Sequence, residues 1–261
     1  MAKRVRSEAE ELGRFMLKLA LATLLLRSLV IAPFSIPSES MLPRLFIGDY
    51  LFVAKWPYGW SRWSLPWGLP LLPNLHWAQP QRGEVVVFRS PEPDDHDVIK
   101  RVIGLPGDTI QMRRGQLILN GVALPKDRVG DFVLPITPNF ADHCPAGHEE
   151  RLAAEQVCRY ARYRETLPGG RSYLVLDAGV SDGDDTGLYT VPAGTVFLMG
   201  DNRDNSADSR FPAPIGMGYI PQYRVEGRAL LTFFSTDGSA SYWKPWTWFS
   251  AARPERAGEG F

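Results

Sequence analysis

The segment from Leu12 to Ala32 constrains this chain most. It is dominated by Leu, Ile, Val, Phe and Ala, and such a surface has to be covered by protein or by lipid. As one helix of about 21 residues it would be ~31 Å long, close to the hydrocarbon thickness of a bilayer. Arg14, Lys18 and Arg27 interrupt it. A charge at the bilayer centre costs roughly 2.5–3.5 kcal/mol, whereas each Leu or Ile contributes about −0.3 to −0.6 kcal/mol. The segment can therefore span only if the charges sit near its ends. Arg14 and Lys18 lie near the start and Arg27 near the finish, within reach of the interface by snorkelling. A surface-lying amphipathic helix fits less well, because at ~100° per residue Arg27 falls nearly opposite Arg14. A cleaved secretory signal also fits less well: Val30 and Ala32 have suitable sizes, but Pro33 comes directly after them. The expectation is an uncleaved transmembrane anchor over 12–32. Lys3, Arg4, Arg6, Arg14 and Lys18 outnumber the acids before it, which places the N-terminal segment 1–11 in the cytoplasm and the chain from Phe34 onward outside it.

Beyond the anchor the chain reads as mainly β. With 24 Gly and 22 Pro, the remaining apolar runs are short and bounded by turns. Strands are expected over Asp49–Lys55, Glu84–Phe88, Asp97–Ile103, Thr195–Met199 and Val225–Phe234, the last interrupted by Gly227. Thr109–Met112 and Gln116–Leu119 suggest a hairpin across Arg113-Arg114-Gly115. The fold class is then an antiparallel, barrel-like β core with a smaller inserted β subdomain. The core domain takes residues 33–122 and 191–250, the insertion 123–190, and a flexible tail 251–261. The Trp- and Pro-rich stretch Trp56–Pro73 and the cluster Trp243, Trp246, Trp248 and Phe249 are either loops over the core or segments dipping into the lipid interface. The formal net charge of zero leaves no electrostatic footprint for nucleic acid.

The insertion carries both cysteines, Cys144 and Cys158. Outside the cytoplasm a disulfide is the default. The rival, a zinc site with His143 and His148, matches no common ligand spacing, so no metal is expected.

Candidate chemistry centres on Ile36-Pro37-Ser38-Glu39-Ser40-Met41-Leu42-Pro43. The prolines restrict the backbone on either side of two serines, so a hydroxyl here can be aimed. A serine is a poor nucleophile until a base takes its proton. The histidines, His76, His96, His143 and His148, lie outside the expected core; His96, in an acidic loop, is the nearest candidate among them. Lys100, at the end of Asp97-Val98-Ile99-Lys100, offers an alternative, since burial would disfavour its ammonium. Gly200–Arg210 packs Asp, Asn, Arg and Ser directly after an apolar strand, as a hydrogen-bonded scaffold behind a site would.

In order along the chain, Ser38-x-Ser40-Met41-x-Pro43, Gly48-Asp49-Tyr50, Gly83–Phe88, Ile99–Asp108 and Gly200–Arg210 closely resemble the boxes of bacterial signal peptidase I. The resemblance runs from about Ala32 to Phe211 apart from the insertion. It implies a membrane-anchored serine endopeptidase of the inner membrane with its catalytic domain on the periplasmic side. The implied partners are the signal peptides of exported preproteins, the lipid bilayer and the secretion translocon; no cofactor is implied. By position, Ser40 would be the nucleophile and Lys100 its neutral general base. Ser38 would join the Ser40 N–H in an oxyanion hole, and Ser206 would orient the lysine. Asp201 would pair with Arg101, and Asp208 with Arg210. Phe34, Ile36, Pro37, Met41, Leu45 and Ile99 would form shallow pockets admitting alanine-sized side chains. Two positions depart from the pattern: Arg44 stands where threonine is usual, and Glu39 where glycine is frequent. A narrow-substrate Ser–Lys peptidase and a non-catalytic anchored binding module are the competing readings. Retention of Ser38, Ser40, Lys100 and Ser206 together speaks against the second.

Overall fold

A computed structural model describes residues 8–65, 68–91, 96–241 and 243–261. The expected cytoplasmic charges Lys3, Arg4 and Arg6 lie outside the described residues, as do Pro66 and Trp67 of the Trp-rich stretch and Asp94 and Asp95 of the acidic loop. The described chain is mainly β, with all strand pairs of its sheets antiparallel and one long helix at the N-terminus.

The helix differs from the expected span. It runs over Glu8–Leu25 and continues as one wider π turn through Leu26–Val30. Ile31 and Ala32 are not helical: they open the strand Ile31–Ser35, where Ile31 pairs with Ala54. The physical reason is local. Proline at 33 cannot sit in a helix interior, and β-branched Val30 and Ile31 suit the extended chain. Among the described residues no helix is long and apolar enough to cross a membrane.

The main sheet has seven strands in the order Ile31–Ser35, Asp49–Ala54, Val225–Ser235, Val85–Arg89, Asp97–Gly104, Thr195–Met199, Ile220–Pro221. Its central strands are β-branched and buried on both faces, as Val85-Val86-Val87-Phe88 illustrates. Gly227 sits at a register shift, and a Cβ there would lie 2.1 Å from the Ala54 carbonyl oxygen, so only glycine lets these strands approach. The expected hairpin forms as Thr109–Arg113 and Gln116–Leu119, with Arg114 and Gly115 taking positive φ in the turn. A separate four-stranded sheet is built from Lys126–Pro135, Glu149–Leu152, Glu155–Thr166 and Ser172–Asp177, all within the expected insertion.

The expected flexible tail is instead folded onto the core. Arg256 is buried and donates to both carboxylate oxygens of Asp49, while Arg253 donates to the carbonyls of Ile47 and Thr236. Gly258 and Glu259 hydrogen-bond with Thr232 through the backbone. The buried Asp49 carboxylate needs cations, and the last residues supply them.

Candidate active site

The serine loop leaves the edge strand Ile31–Ser35 and is fixed from below. Ile36 donates to the Asp49 carbonyl at 2.9 Å and accepts from the Gly48 N–H at 2.9 Å. Met41 and Leu45 are completely buried with Ile36, Leu51, Val53, Val85, Val87, Ile99 and Ala229. The turn closes on itself through Leu42 N–H to Glu39 carbonyl (3.0 Å) and Leu45 N–H to Met41 carbonyl (2.9 Å). From the other side, Asn202 N–H donates to the Ser40 carbonyl at 3.0 Å and its amide to the Glu39 carbonyl at 3.2 Å. A Cβ at Gly200 would lie 2.3 Å from Ser206 Oγ and 2.6 Å from the Ser40 carbonyl oxygen, so this contact requires glycine.

Lys100 emerges from the middle of Asp97–Gly104, opposite Val86. It is only 3 % exposed. Its Nζ donates to Ser40 Oγ at 2.6 Å and to the Ile99 carbonyl at 3.1 Å. Burial lowers its pKa to about 8, against the opposing pull of Asp208, Asp201 and Glu39. Ser38 Oγ lies 3.4 Å from Ser40 Oγ.

Two buried ion pairs brace this geometry. Arg101 grips Asp201 through Nε (2.7 Å) and Nη2 (2.5 Å), and its Nη1 reaches the Gly83 carbonyl. Arg210 grips Asp208 through Nε and Nη2, both at 2.9 Å. Burial works against ionisation of Asp208, but Arg210 and the Gly200 N–H outweigh it and hold its pKa below the ordinary value. The expected bond from Ser206 to Lys100 is not formed. Ser206 Oγ is buried with no hydrogen bond of good geometry; it packs at Gly200, close enough to Asp208 to favour its ionised form.

Phe34, Ile36, Pro37, Ser38 and Ile99 line one cleft of about 1070 Å³, which continues past Lys55 and Glu226 to the last turns of the helix. Met41 and Leu45, expected to line pockets, do not reach it: they form the packed floor beneath. Cys144 and Cys158 are joined in a disulfide, which removes both from any zinc site. His143 pairs with Glu39, and both ring nitrogens of His148 meet backbone carbonyls.

Besides Asp49–Arg256, two buried charge clusters among the described residues have no counterpart in the sequence expectations. Arg203 donates to both oxygens of Glu165, which also accepts from the Tyr173 hydroxyl. Lys55 Nζ lies 2.5 Å from Glu226 Oε2. The sequence signal is an acid set among apolar neighbours, Val225-Glu226-Gly227, too common to single out.

A serine hydroxyl hydrogen-bonded to a buried lysine, on a mainly antiparallel frame, is an arrangement suited to nucleophilic catalysis. The comparisons with known proteins name the class more narrowly. The model of the family described as signal peptidase, peptidase S26, matches residues 9–234. A signal peptidase I of Rickettsia typhi is 33% identical over 87% of this chain and 80% of its own length. One from Rickettsia massiliae is 33% identical over 88% of this chain and 81% of its own. A crystal structure of a signal peptidase I from Enterococcus faecalis aligns at 28% identity with a TM-score of 0.31, over 58% of this chain and 97% of that one. The chain belongs to the peptidase S26 family of signal peptidases, and it is a serine peptidase.

Proposed function

We propose that this chain removes N-terminal signal peptides from exported preproteins after small residues, using Ser40 and Lys100 as a catalytic dyad. The observation that carries the reading is the 2.6 Å approach of a buried amine to the Ser40 hydroxyl. With its pKa brought down to about 8, Lys100 is uncharged in a useful fraction of molecules at mildly alkaline pH. In this reading neutral Lys100 takes the Ser40 proton as Oγ attacks the scissile carbonyl. Ser38 Oγ and the Ser40 N–H receive the developing oxyanion. Protonated Lys100 then hands its proton to the departing amine, and water, activated by the same amine, releases the signal peptide from the acyl-enzyme. Phe34, Ile36, Pro37 and Ile99 give the cleft beside Ser38 an apolar wall, which suits the apolar side chains of a signal peptide. Arg101–Asp201 and Asp208–Arg210 act as supports, and the 123–190 insertion rides on a catalytic domain made of 33–122 and 191–250.

The N-terminal helix supports membrane anchoring. It buries none of its residues, and Leu12, Phe15, Met16, Leu17, Leu19, Leu21, Leu24 and Leu25 are exposed around it, a surface that lipid would cover. In this reading the helix and its π turn tilt or thin the bilayer to cross it, the N-terminus stays cytoplasmic, and the rest works outside beside the translocon. Exposed Trp243, Trp246 and Phe249 suit the interface.

Ser40→Ala and Lys100→Ala should each abolish cleavage of an Ala-x-Ala preprotein by the detergent-solubilised enzyme, with the new N-terminus of the wild-type product read by sequencing. Near-normal turnover in either variant removes that residue from the mechanism. A chain that leaves washed membranes with high salt alone would contradict the anchor.

A further inference from the structure

Glu39 stands between the two serines, and its surroundings are unlike those of the other acids near the lysine. The charges that act most on Lys100 include Asp208, Asp201, Glu39 and Arg210. Asp208 and Asp201 are each gripped by an arginine through two hydrogen bonds. Among the described residues, the cation within ion-pair reach of Glu39 is His143, whose Nδ1 lies 2.8 Å from Oε2. Glu39 is therefore the acid whose partner is an imidazole and not a guanidinium. Its backbone is fixed as well, since its carbonyl accepts from Leu42 N–H and from the Asn202 amide.

His143 reaches the site from the insertion. It comes after the short helical turn Pro138–Phe140, lies against the Phe140 ring at 6.0 Å, and precedes Cys144, which is tied to Cys158 in the strand Glu155–Thr166. The insertion thus holds a carboxylate in place next to the nucleophile. The buried Tyr160 phenol, from the same strand, is the other titratable group that senses Glu39.

We infer that Glu39 is a positioning residue that sets the basicity of Lys100, and that His143 both holds it in place and moderates its charge. This rests on the reading of Lys100 as the base. The sign comes from electrostatics: a fixed carboxylate favours the ammonium and keeps Lys100 protonated to higher pH, and a cation on His143 offsets that pull. The serine loop thereby trades some basic amine at neutral pH for a stronger base, and the insertion controls the trade.

The test is the pH dependence of kcat/KM for the full-length chain in detergent with an Ala-x-Ala preprotein. Glu39→Gln keeps the shape and removes the charge; its acid limb should move to lower pH by a few tenths to about one unit. His143→Arg supplies a permanent cation at a partly exposed position, and should move the limb the same way by less. Should Glu39→Gln not accumulate folded, His143→Arg carries the same sign test. Limbs that coincide with wild type, or that move to higher pH, overturn the inference, even where the rate falls. Lys100→Ala separates the two levels. If it is inactive while the limbs stay put, only the role of Glu39 fails; if it turns over normally, the base assignment fails and takes this inference with it.

Discussion

Lys100, within a strand of the main sheet, and Lys55, directly after one, are both buried, 3 % and 4 % exposed, yet they are built for different ends. Lys55 comes directly after the strand Asp49–Ala54 and meets a carboxylate, Glu226, at 2.5 Å, with the Phe34 ring 5.2 Å away. Lys100 meets a hydroxyl and a backbone carbonyl. Two of the acids that act on it, Asp208 and Asp201, are already held by arginines. Burial alone therefore does not make a base. A buried ammonium with a carboxylate in contact keeps its charge, whereas one offered only dipoles is pushed towards the neutral form. Both lysines are buried in one chain, so a single fold contains the experiment and its control.

The largest expected difference is in turnover. Lys100→Met should lower kcat by about 10²–10⁴-fold, the range for a lost general base. Lys55→Met, just beyond the strand Asp49–Ala54, should leave an acid limb where wild type has it. A Lys55→Met enzyme as inactive as Lys100→Met, although folded, would erase the distinction.

Stability should rank the two the other way. Lys55→Met strands Glu226 in the interior and should cost about 3–5 kcal/mol by denaturant unfolding, with Lys55→Met/Glu226→Leu recovering most of it. Lys100→Met removes a poorly solvated amine and leaves no buried charge behind, so its loss should be well under that of Lys55→Met. Equal losses would mean that Lys100 is held as firmly as a structural ion.

A smaller effect is the pH profile itself. Activity should rise with pH and reach half its plateau near 8, because only the neutral amine accepts the serine proton. A profile that begins to climb only near ~10.4, the value of a free lysine, would show that burial had not acted.

Most of this site is legible from short-range pattern. Ser38, Ser40 and Lys100 sit in stretches whose residue order carries the family resemblance, and the strands bearing Lys100 and its neighbours arise from β-branched runs between turn residues. The features with no sequence trace depend on distant partners or on side-chain direction. Arg256 meets Asp49 from 207 positions away and Lys55 meets Glu226 from 171, so neither pair leaves a local mark. Met41 and Leu45 flank the nucleophile, which suggests pockets, but the turn after Ser40 rotates them inward. Hydropathy extends the helix too far because it does not register that Ile31 pairs with Ala54. Ser206 stands in the expected box, yet its Oγ is buried without a hydrogen-bond partner, which residue order does not register.

The finest distinction between the two lysine environments lies in how stability depends on pH, and it comes in two separate windows of opposite slope. Burial, reinforced by Asp97, pushes Glu226 up to about 7 despite Lys55, from an ordinary 4.5. The folded chain then binds more protons at this site than the unfolded chain between those values, so stability falls as pH rises from about 4.5 to 7. Lys100 works in reverse. Its pKa drops to about 8 from 10.5, so the unfolded chain binds the extra proton, and stability grows as pH rises from about 8 towards 10.5. Tm measured across pH for wild type, Glu226→Gln and Lys100→Met should separate the two: Glu226→Gln flattens the acid-side decline alone, and Lys100→Met the alkaline-side rise alone. If Glu226→Gln leaves the acid-side decline intact, the carboxylate is fully ionised against Lys55 throughout, and the pair is a plain salt bridge and not a partly shared proton. If Lys100→Met leaves the alkaline rise intact, the lysine beside Ser40 titrates as though it were in water, and the contrast on which its role as a base depends disappears.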